Sequence, residues 1–317
     1  MVTFDRIAAA RRTLAGKVRR TPCLTDDNVN LLCGNTVFCK MENLQITGAF
    51  KVRGVLCKIA SLSAAEKERG LVCATSGNHG IGVGYCARRE GIPATIVVPE
   101  VTPVVKLELL REYAQVEIAG KTYQESYRYA QEKAVREGGT FVPGYDDPLI
   151  IAGQATVACE IIEDVPDADV FVAPIGGGGL IAGTLIAVRN LRPGARVIGV
   201  QAAGAPSMFA CWKSGTIGDL PEIHTIAEGI AVQRPGNLPF EIVRELIDDI
   251  VLVDDDDIRR GMQVLFQKFR TVAEAAGAAA LAAVLSGRIS CRDRTIACVV
   301  SGGNVAPDQF CSVTGAA

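Results

Sequence analysis

Histidine, tryptophan and long runs of like charge are scarce in this chain. Two histidines, His79 and His224, and a single tryptophan occur in 317 residues. The 11 cysteines are scattered and none forms a CxxC pair. Neither a zinc site nor a disulfide framework is expected, and the thiols read as reduced core residues of a reducing compartment. No uninterrupted apolar run reaches membrane-spanning length and no apolar leader opens the chain, so a cytoplasmic protein with no membrane partner is expected. Net charge is −2 with no basic tract, which argues against a nucleic-acid partner. The densest charge cluster, Asp254, Asp255, Asp256 and Asp257, reads as the acidic start of a helix.

What is present is apolar residue in quantity, 49% against 21% charged, enough for a core in one large or two moderate domains. Its spacing alternates. Helical periodicity predicts helices over 3–19 (with Thr3 as cap), 51–61, 81–90, 106–113, 123–137, 150–162, 180–190, 240–246, 256–270 and 275–285. Between them lie short apolar strands over 35–41, 70–75, 94–99, 115–118, 140–142, 169–175, 197–201, 249–253 and 295–300. Strands separated by helices of this length predict an α/β fold of parallel sheets with right-handed crossovers. Turn chemistry at Tyr145, Asp146, Asp147 and Pro148 suggests a domain junction there.

Glycine-rich turns carry the chemistry. Gly176, Gly177, Gly178 and Gly179 stand between an apolar strand and an apolar helix that opens with Leu180. Consecutive glycines let backbone N–H groups approach an anion, and a helix N-terminus adds a positive end. Gly177, Gly179 and Ala182 also fit a dinucleotide fingerprint, but the next strand ends at Gln201, where that fingerprint wants an acid. A second turn, Thr75, Ser76, Gly77, Asn78, His79 and Gly80, groups hydroxyl, amide and imidazole donors suited to a carboxylate, though Ser76 or Asn78 could equally be an ordinary cap. A third is Ser301, Gly302, Gly303 and Asn304. Lys51 follows Phe50 at a helix start, and burial beside an aromatic lowers a lysine's pKa toward what an imine-forming amine needs. Such a lysine with a backbone phosphate cradle is what pyridoxal phosphate requires.

These stretches occur in one order: Asn43 to Gln45 with Lys51, Val52, Arg53 and Gly54, then the Ser76 loop, the tetraglycine and Ser301 to Asn304. Together they resemble the fold type II pyridoxal-phosphate enzymes, specifically the threonine/serine dehydratase and serine racemase group. The turn at 145–148 with residues 151–154, and residues 225–229, also look like this group. The resemblance implies a two-domain architecture like that of the tryptophan synthase β chain, each domain a mainly parallel sheet flanked by helices. The larger, cofactor-binding part would comprise residues 1–48 and 147–317, and the smaller, with the substrate loop, residues 49–146. It implies that Lys51 holds the cofactor as an imine and exchanges protons with the substrate Cα, and that Phe50 packs on the cofactor ring. Asn78 would bond its phenolic oxygen, residues 176–179 with Leu180 its phosphate, and Ser301 its pyridine nitrogen. A neutral hydroxyl at that nitrogen favours elimination over transamination. Thr75, Ser76, Gly77, Asn78 and His79 would hold the substrate, with Ser76 facing Cα opposite the lysine.

The implied reaction is β-elimination from a small β-hydroxy amino acid, threonine or serine, giving a 2-oxo acid and ammonia. Racemisation of serine or aspartate, or dehydration of 3-hydroxyaspartate or a hydroxyectoine breakdown product, are alternatives on the same fold. A non-catalytic amino-acid-binding protein and a dinucleotide oxidoreductase are alternatives outside it. Relatives of this group that bind a divalent metal use carboxylates where this chain has Gln201 and Ser207, so no metal site is expected. Feedback control through a C-terminal regulatory domain is not expected, and a homodimer or homotetramer is.

Overall fold

The computed structural model describes residues 2–315. In chain order the strands are β1 (Cys23–Thr25), β2 (Thr36–Met41), β3 (Leu71–Ala74), β4 (Ala94–Val98), β5 (Gln115–Ile118), β6 (Thr140–Phe141), β7 (Val170–Pro174), β8 (Arg196–Ala202), β9 (Asp249–Val253) and β10 (Thr295–Val300). They form a six-stranded sheet, order β1-β2-β10-β7-β8-β9, and a four-stranded sheet, order β5-β4-β3-β6. Every pairing is parallel except β1 with β2. The α/β class expected from the alternating pattern is therefore the one observed.

The helices are α1 (Phe4–Leu14), α2 (Asp27–Cys33), α3 (Lys51–Ala60), α4 (Ala64–Arg69), α5 (Asn78–Glu90), α6 (Val104–Arg111), α7 (Tyr123–Glu137), α8 (Pro148–Asp164), α9 (Gly179–Leu191), α10 (Ser207–Ser214), α11 (Asn237–Leu246), α12 (Asp255–Phe269), α13 (Ala275–Leu285) and α14 (Pro307–Thr314). Three local readings need correction. The first helix stops at Leu14, because Gly16 adopts a left-handed turn, and the Thr3 side chain makes no capping bond. The second turn's helix begins at Asn78 rather than 81, with Gly77 at the cap. β1, α2, α4, α10 and α14 were not expected; each is short, and α4 is set by a Ser63–Glu66 capping box rather than by an apolar stripe. The aspartate cluster behaves as read: Asp254 caps α12 by accepting from the Asp257 N–H.

Close helix crossings hold α3 in place. A Cβ on Gly153 of α8 would lie 2.6 Å from the Gly54 Cα of α3, so the two backbones meet where both residues are glycine. Beside this crossing Arg53 is fully buried between two carboxylates. Its Nε and Nη2 donate to Glu42 at 2.8 Å each, and Nη1 and Nη2 donate to Glu160 at 2.7 and 2.9 Å. The buried Lys40 Nζ lies 2.7 Å from the same Glu160. Lys51, at the head of α3, thus sits on a segment fastened to α8 and to the end of β2. α13 is buried along its whole length, since its alanines let the six-stranded sheet and α12 approach from either side.

Candidate active site

The turns singled out in the sequence follow the C-terminal ends of β2, β3, β7 and β10, where parallel α/β sheets place ligands. They converge on one cavity of about 620 Å³. Phe50, Lys51, Thr75, Ser76, Gly77, Asn78, His79, the four glycines 176–179, Leu180 and Ser301 all line it. This size suits a cofactor with a small substrate.

Lys51 is the first residue of α3 and is partly buried. Its Nζ donates to the Gly144 carbonyl at 2.8 Å and lies 5.1 Å from the centre of the Phe50 ring. Burial pulls its pKa down to about 8, against an opposing pull from the Glu274 charge. Opposite, β7 leaves the sheet at Pro174 and the chain turns through Gly178, at φ +99°, into α9. A Cβ on Gly177 would sit 2.3 Å from the Tyr145 ring, and one on Gly178 would sit 2.7 Å from Met208 and Pro239. Packing against Tyr145, Met208 and Pro239 thus demands glycine at 177 and 178, and the first-turn N–H groups of α9, which have no intrahelical partners, are available to an anion.

At the second turn the Gly77 N–H donates to Thr75 Oγ1 at 3.1 Å, and the Ser76 side chain lines the cavity. His79 differs from its expected part. Its Nε2 donates to the Val142 carbonyl at 2.9 Å, and burial and the Lys51 charge hold its pKa down to about 3, so the ring is neutral. Its Nε2–H is thus committed, while Nδ1 has no hydrogen-bond partner among the described residues. Ser301, at the end of β10, lines the cavity, and its hydroxyl makes one long bond, to the Ala276 carbonyl at 3.5 Å, which a better partner in the cavity could replace.

Gln201 and Ser207 are buried behind the glycine turn. Gln201 Nε2 donates to the Ile175 carbonyl at 3.3 Å and its Oε1 accepts from the Phe209 N–H at 2.8 Å, so this side chain ties the exit of β7 to α10. No group of three or more metal-ligating side chains occurs among the described residues. Sequence reasoning missed Glu274. Its signal was one acid ahead of the alanine-rich α13, and the carboxyl lines the cavity 2.6 Å from Asn78 Nδ2.

A partly buried amine and a helix-end anion cradle lining one cavity, at the strand ends of two mainly parallel sheets, define a fold type II cofactor enzyme. The chain belongs to the pyridoxal-phosphate dependent enzyme family, whose model matches residues 14–302. It is 42% identical to the L-threonine ammonia-lyase of Thermotoga maritima, over 96% of this chain and 76% of that one. It is 41% identical to the L-threonine dehydratase catabolic TdcB of Escherichia coli, over 99% and 96%. Among solved structures, maize serine racemase superposes with a TM-score of 0.94 at 31% identity, covering 99% of this chain and 97% of that one. The processed form of threonine deaminase isoform 2 from Solanum lycopersicum gives 0.93 at 30% identity, covering 99% and 88%.

Proposed function

We propose that the cavity holds pyridoxal phosphate on Lys51 and that the chain dehydrates and deaminates L-threonine, and L-serine less readily, to a 2-oxo acid and ammonia. The observation that carries this is the placing of Lys51, the tetraglycine, the Ser76 loop and Ser301 around one cavity. The threonine ammonia-lyase and dehydratase relatives support the substrate. When bound, the cofactor supplies an electron sink for charge developing at the substrate Cα. The N–H groups at 176–180 hold its phosphate, the Asn78 amide its phenolic oxygen and the Ser301 hydroxyl its pyridine nitrogen. The backbone N–H groups of Ser76 and Asn78, which the turn leaves without a partner among the described residues, hold the substrate carboxylate, and Lys51 Nζ takes the Cα proton.

The walls favour an uncharged side chain. Beside Lys51, the lining cations among the described residues are Lys106 and Arg234; Lys106 pairs with Glu228, and Arg234 with Asp219 at 3.4 Å. A second substrate carboxylate would have to break one of these pairs. Assayed for 2-oxo acid release on a panel of β-hydroxy amino acids, threonine should give the highest kcat/KM and 3-hydroxyaspartate should trail it by at least tenfold. A faster 3-hydroxyaspartate would overturn the assignment. Racemisation is the second reading, supported by Ser76 in the wall; the enantiomeric composition of residual serine in the same assay reads it.

The depressed lysine supports a further expectation. At pH 7 roughly a tenth of Lys51 would be neutral, against less than a thousandth for an ordinary lysine. Capture of pyridoxal phosphate by apoprotein should therefore accelerate with pH and level off above about 8. A rate independent of pH across that value would contradict a free Lys51 as the capturing amine.

We also propose that residues 49–146 form the smaller domain beside the larger one of 1–48 and 147–317. Lys106 with Glu228, and Gln124 with Gln233, would then bridge the cleft. The fastening of α3 to α8 keeps Lys51 with the larger part as the rest of the smaller one moves. A cytoplasmic homodimer or homotetramer is the accompanying proposal. The free cysteines fit a reducing compartment, and the exposed Leu31 and Leu32 on α2 fit a surface covered by a second copy.

A further inference from the structure

Glu274 occupies the N-cap position of α13, yet its side chain makes no capping bond there. Its carboxyl turns instead into the cavity and accepts from Asn78 Nδ2 at 2.6 Å, a contact spanning 196 residues of sequence. Space has been cleared for it: a Cβ on Gly302 would lie 2.4 Å from Glu274 Oε1. At the other end of the Asn78 amide, Asn304 Nδ2 donates to Asn78 Oδ1 at 2.8 Å and to the Thr47 carbonyl at 2.8 Å. Asn304 is equally confined, since a Cβ on Gly48 would lie 2.1 Å from its Oδ1.

The polarity of this chain of bonds is determined from both ends. The Thr47 carbonyl can only accept, so the nitrogen of Asn304 must face it. That same nitrogen can only donate to Asn78, so the oxygen of Asn78 must face Asn304. The nitrogen of Asn78 is then left for Glu274, which as a carboxylate can only accept. An unconstrained amide could rotate by half a turn and present its carbonyl to the cavity. This one cannot without breaking two bonds. One N–H of Asn78 is taken by Glu274, and the second is left for the cavity that Asn78 lines.

We propose that Glu274 is a positioning residue: it locks the Asn78 amide so that an N–H, not the carbonyl, is presented to the phenolic oxygen of pyridoxal phosphate. The inference rests on that cofactor occupying the cavity. It assigns Glu274 no contact with the reacting atoms.

The lock responds to pH. Burial raises the Glu274 carboxyl to about 7, despite the Asn78 bond, which pulls it down. The charged groups around it are Glu228, on the 3-10 turn Glu228–Ile230, which raises it, and Lys106 of α6 and Lys51 of α3, which lower it. Above this value Glu274 is an obligate acceptor and the amide is locked. Below it the carboxyl carries a proton, can itself donate, and the lock loosens.

The test is a pH titration of the visible absorbance of the purified holoenzyme, with the cofactor dissociation constant measured alongside. Wild type should show a spectral step with a midpoint near or above 7, since Lys51 no longer lends a free ammonium once it holds the cofactor. Glu274→Gln still offers Asn78 an acceptor, so it should keep cofactor affinity within about threefold and lose the step. Glu274→Ala should weaken cofactor binding about tenfold or more, as for loss of a charged hydrogen bond. A step unchanged in Glu274→Gln, or unchanged affinity in Glu274→Ala, overturns the inference. A wild type that takes up no cofactor at all sinks the cofactor reading instead. Should the Glu274 variants not fold, Asn304→Ala tests the other end: weaker cofactor binding with the step retained is expected, and unchanged binding refutes the lock.

Discussion

Lys51→Ala should yield a folded, colourless protein that gains no stable visible band from added pyridoxal phosphate and loses at least about a thousandfold in 2-oxo acid formation. The size follows from two losses at one atom. The substitution removes the only lysine among the described cavity residues besides Lys106, whose ammonium is paired with Glu228. It also removes the amine proposed to take the Cα proton. The fold should tolerate the change, because Lys51 Nζ makes a single bond, to the Gly144 carbonyl, and burying its charge is unfavourable. Thermal midpoint, absorbance after gel filtration, and mass after borohydride reduction of holoenzyme check it together. Wild type should gain a reduced adduct on the peptide containing Lys51. An adduct on another lysine, or residual activity above about a tenth of wild type, would sink the assignment.

Arg53→Met should be the most destabilising single change near the site. Glu42 has no exposed surface, and Arg53 supplies two bonds to it and two to Glu160. Removing one partner of a buried ion pair leaves an uncompensated charge, at a cost of about 3–5 kcal/mol, a large part of the roughly 5–15 kcal/mol by which domains are stable. The pH dependence is diagnostic. Burial pushes the Glu42 carboxyl up, but the adjacent Arg53 guanidinium outweighs it and holds the carboxyl below its ordinary value. In wild type this carboxylate therefore contributes stability above the ordinary carboxylate pKa, and that contribution is lost as pH falls through its depressed value. In Arg53→Met burial is opposed only by the Thr21 hydroxyl bond and the Lys40 charge, so the carboxyl takes up a proton more readily and the deficit should narrow from neutral pH toward about pH 5. Adding Glu42→Gln to the variant should recover part of the loss. Urea unfolding of the three proteins at two pH values measures this; a deficit that is small, or that does not change with pH, contradicts the buried-charge account. Activity should fall too, because Arg53 is two residues from Lys51 on the helix that sets the amine's position.

The two effects differ in how visible they were beforehand. Lys51 by itself was a weak signal, a lysine after an aromatic at a helix start, and gained meaning only in combination with the glycine cradle. The tetraglycine and the Ser76 and Ser301 turns were legible directly, since a strand-to-helix turn is a local object with a local spelling. The order of strands and helices was legible for the same reason: periods of two and 3.6 show within a dozen residues. The short elements β1, α2, α4, α10 and α14 carry too few turns or alternations to show a period.

What the chain determines by itself is therefore the α/β class and the positions of the four turns, that of Lys51 among them, that line the cavity. Only the tertiary structure decided what stands behind them. Tyr145 packs against Gly177 and Gly179, Glu160 reaches Arg53 across 107 residues, and Glu274 and Asn304 fix the polarity of Asn78 from two different loops. It also turned the His79 ring away to the Val142 carbonyl. Each is a single contact between distant segments, with no repeat along the chain to announce it. Burial then gives each contact its energy, because a polar group shut away from water must be met by a partner placed by the fold.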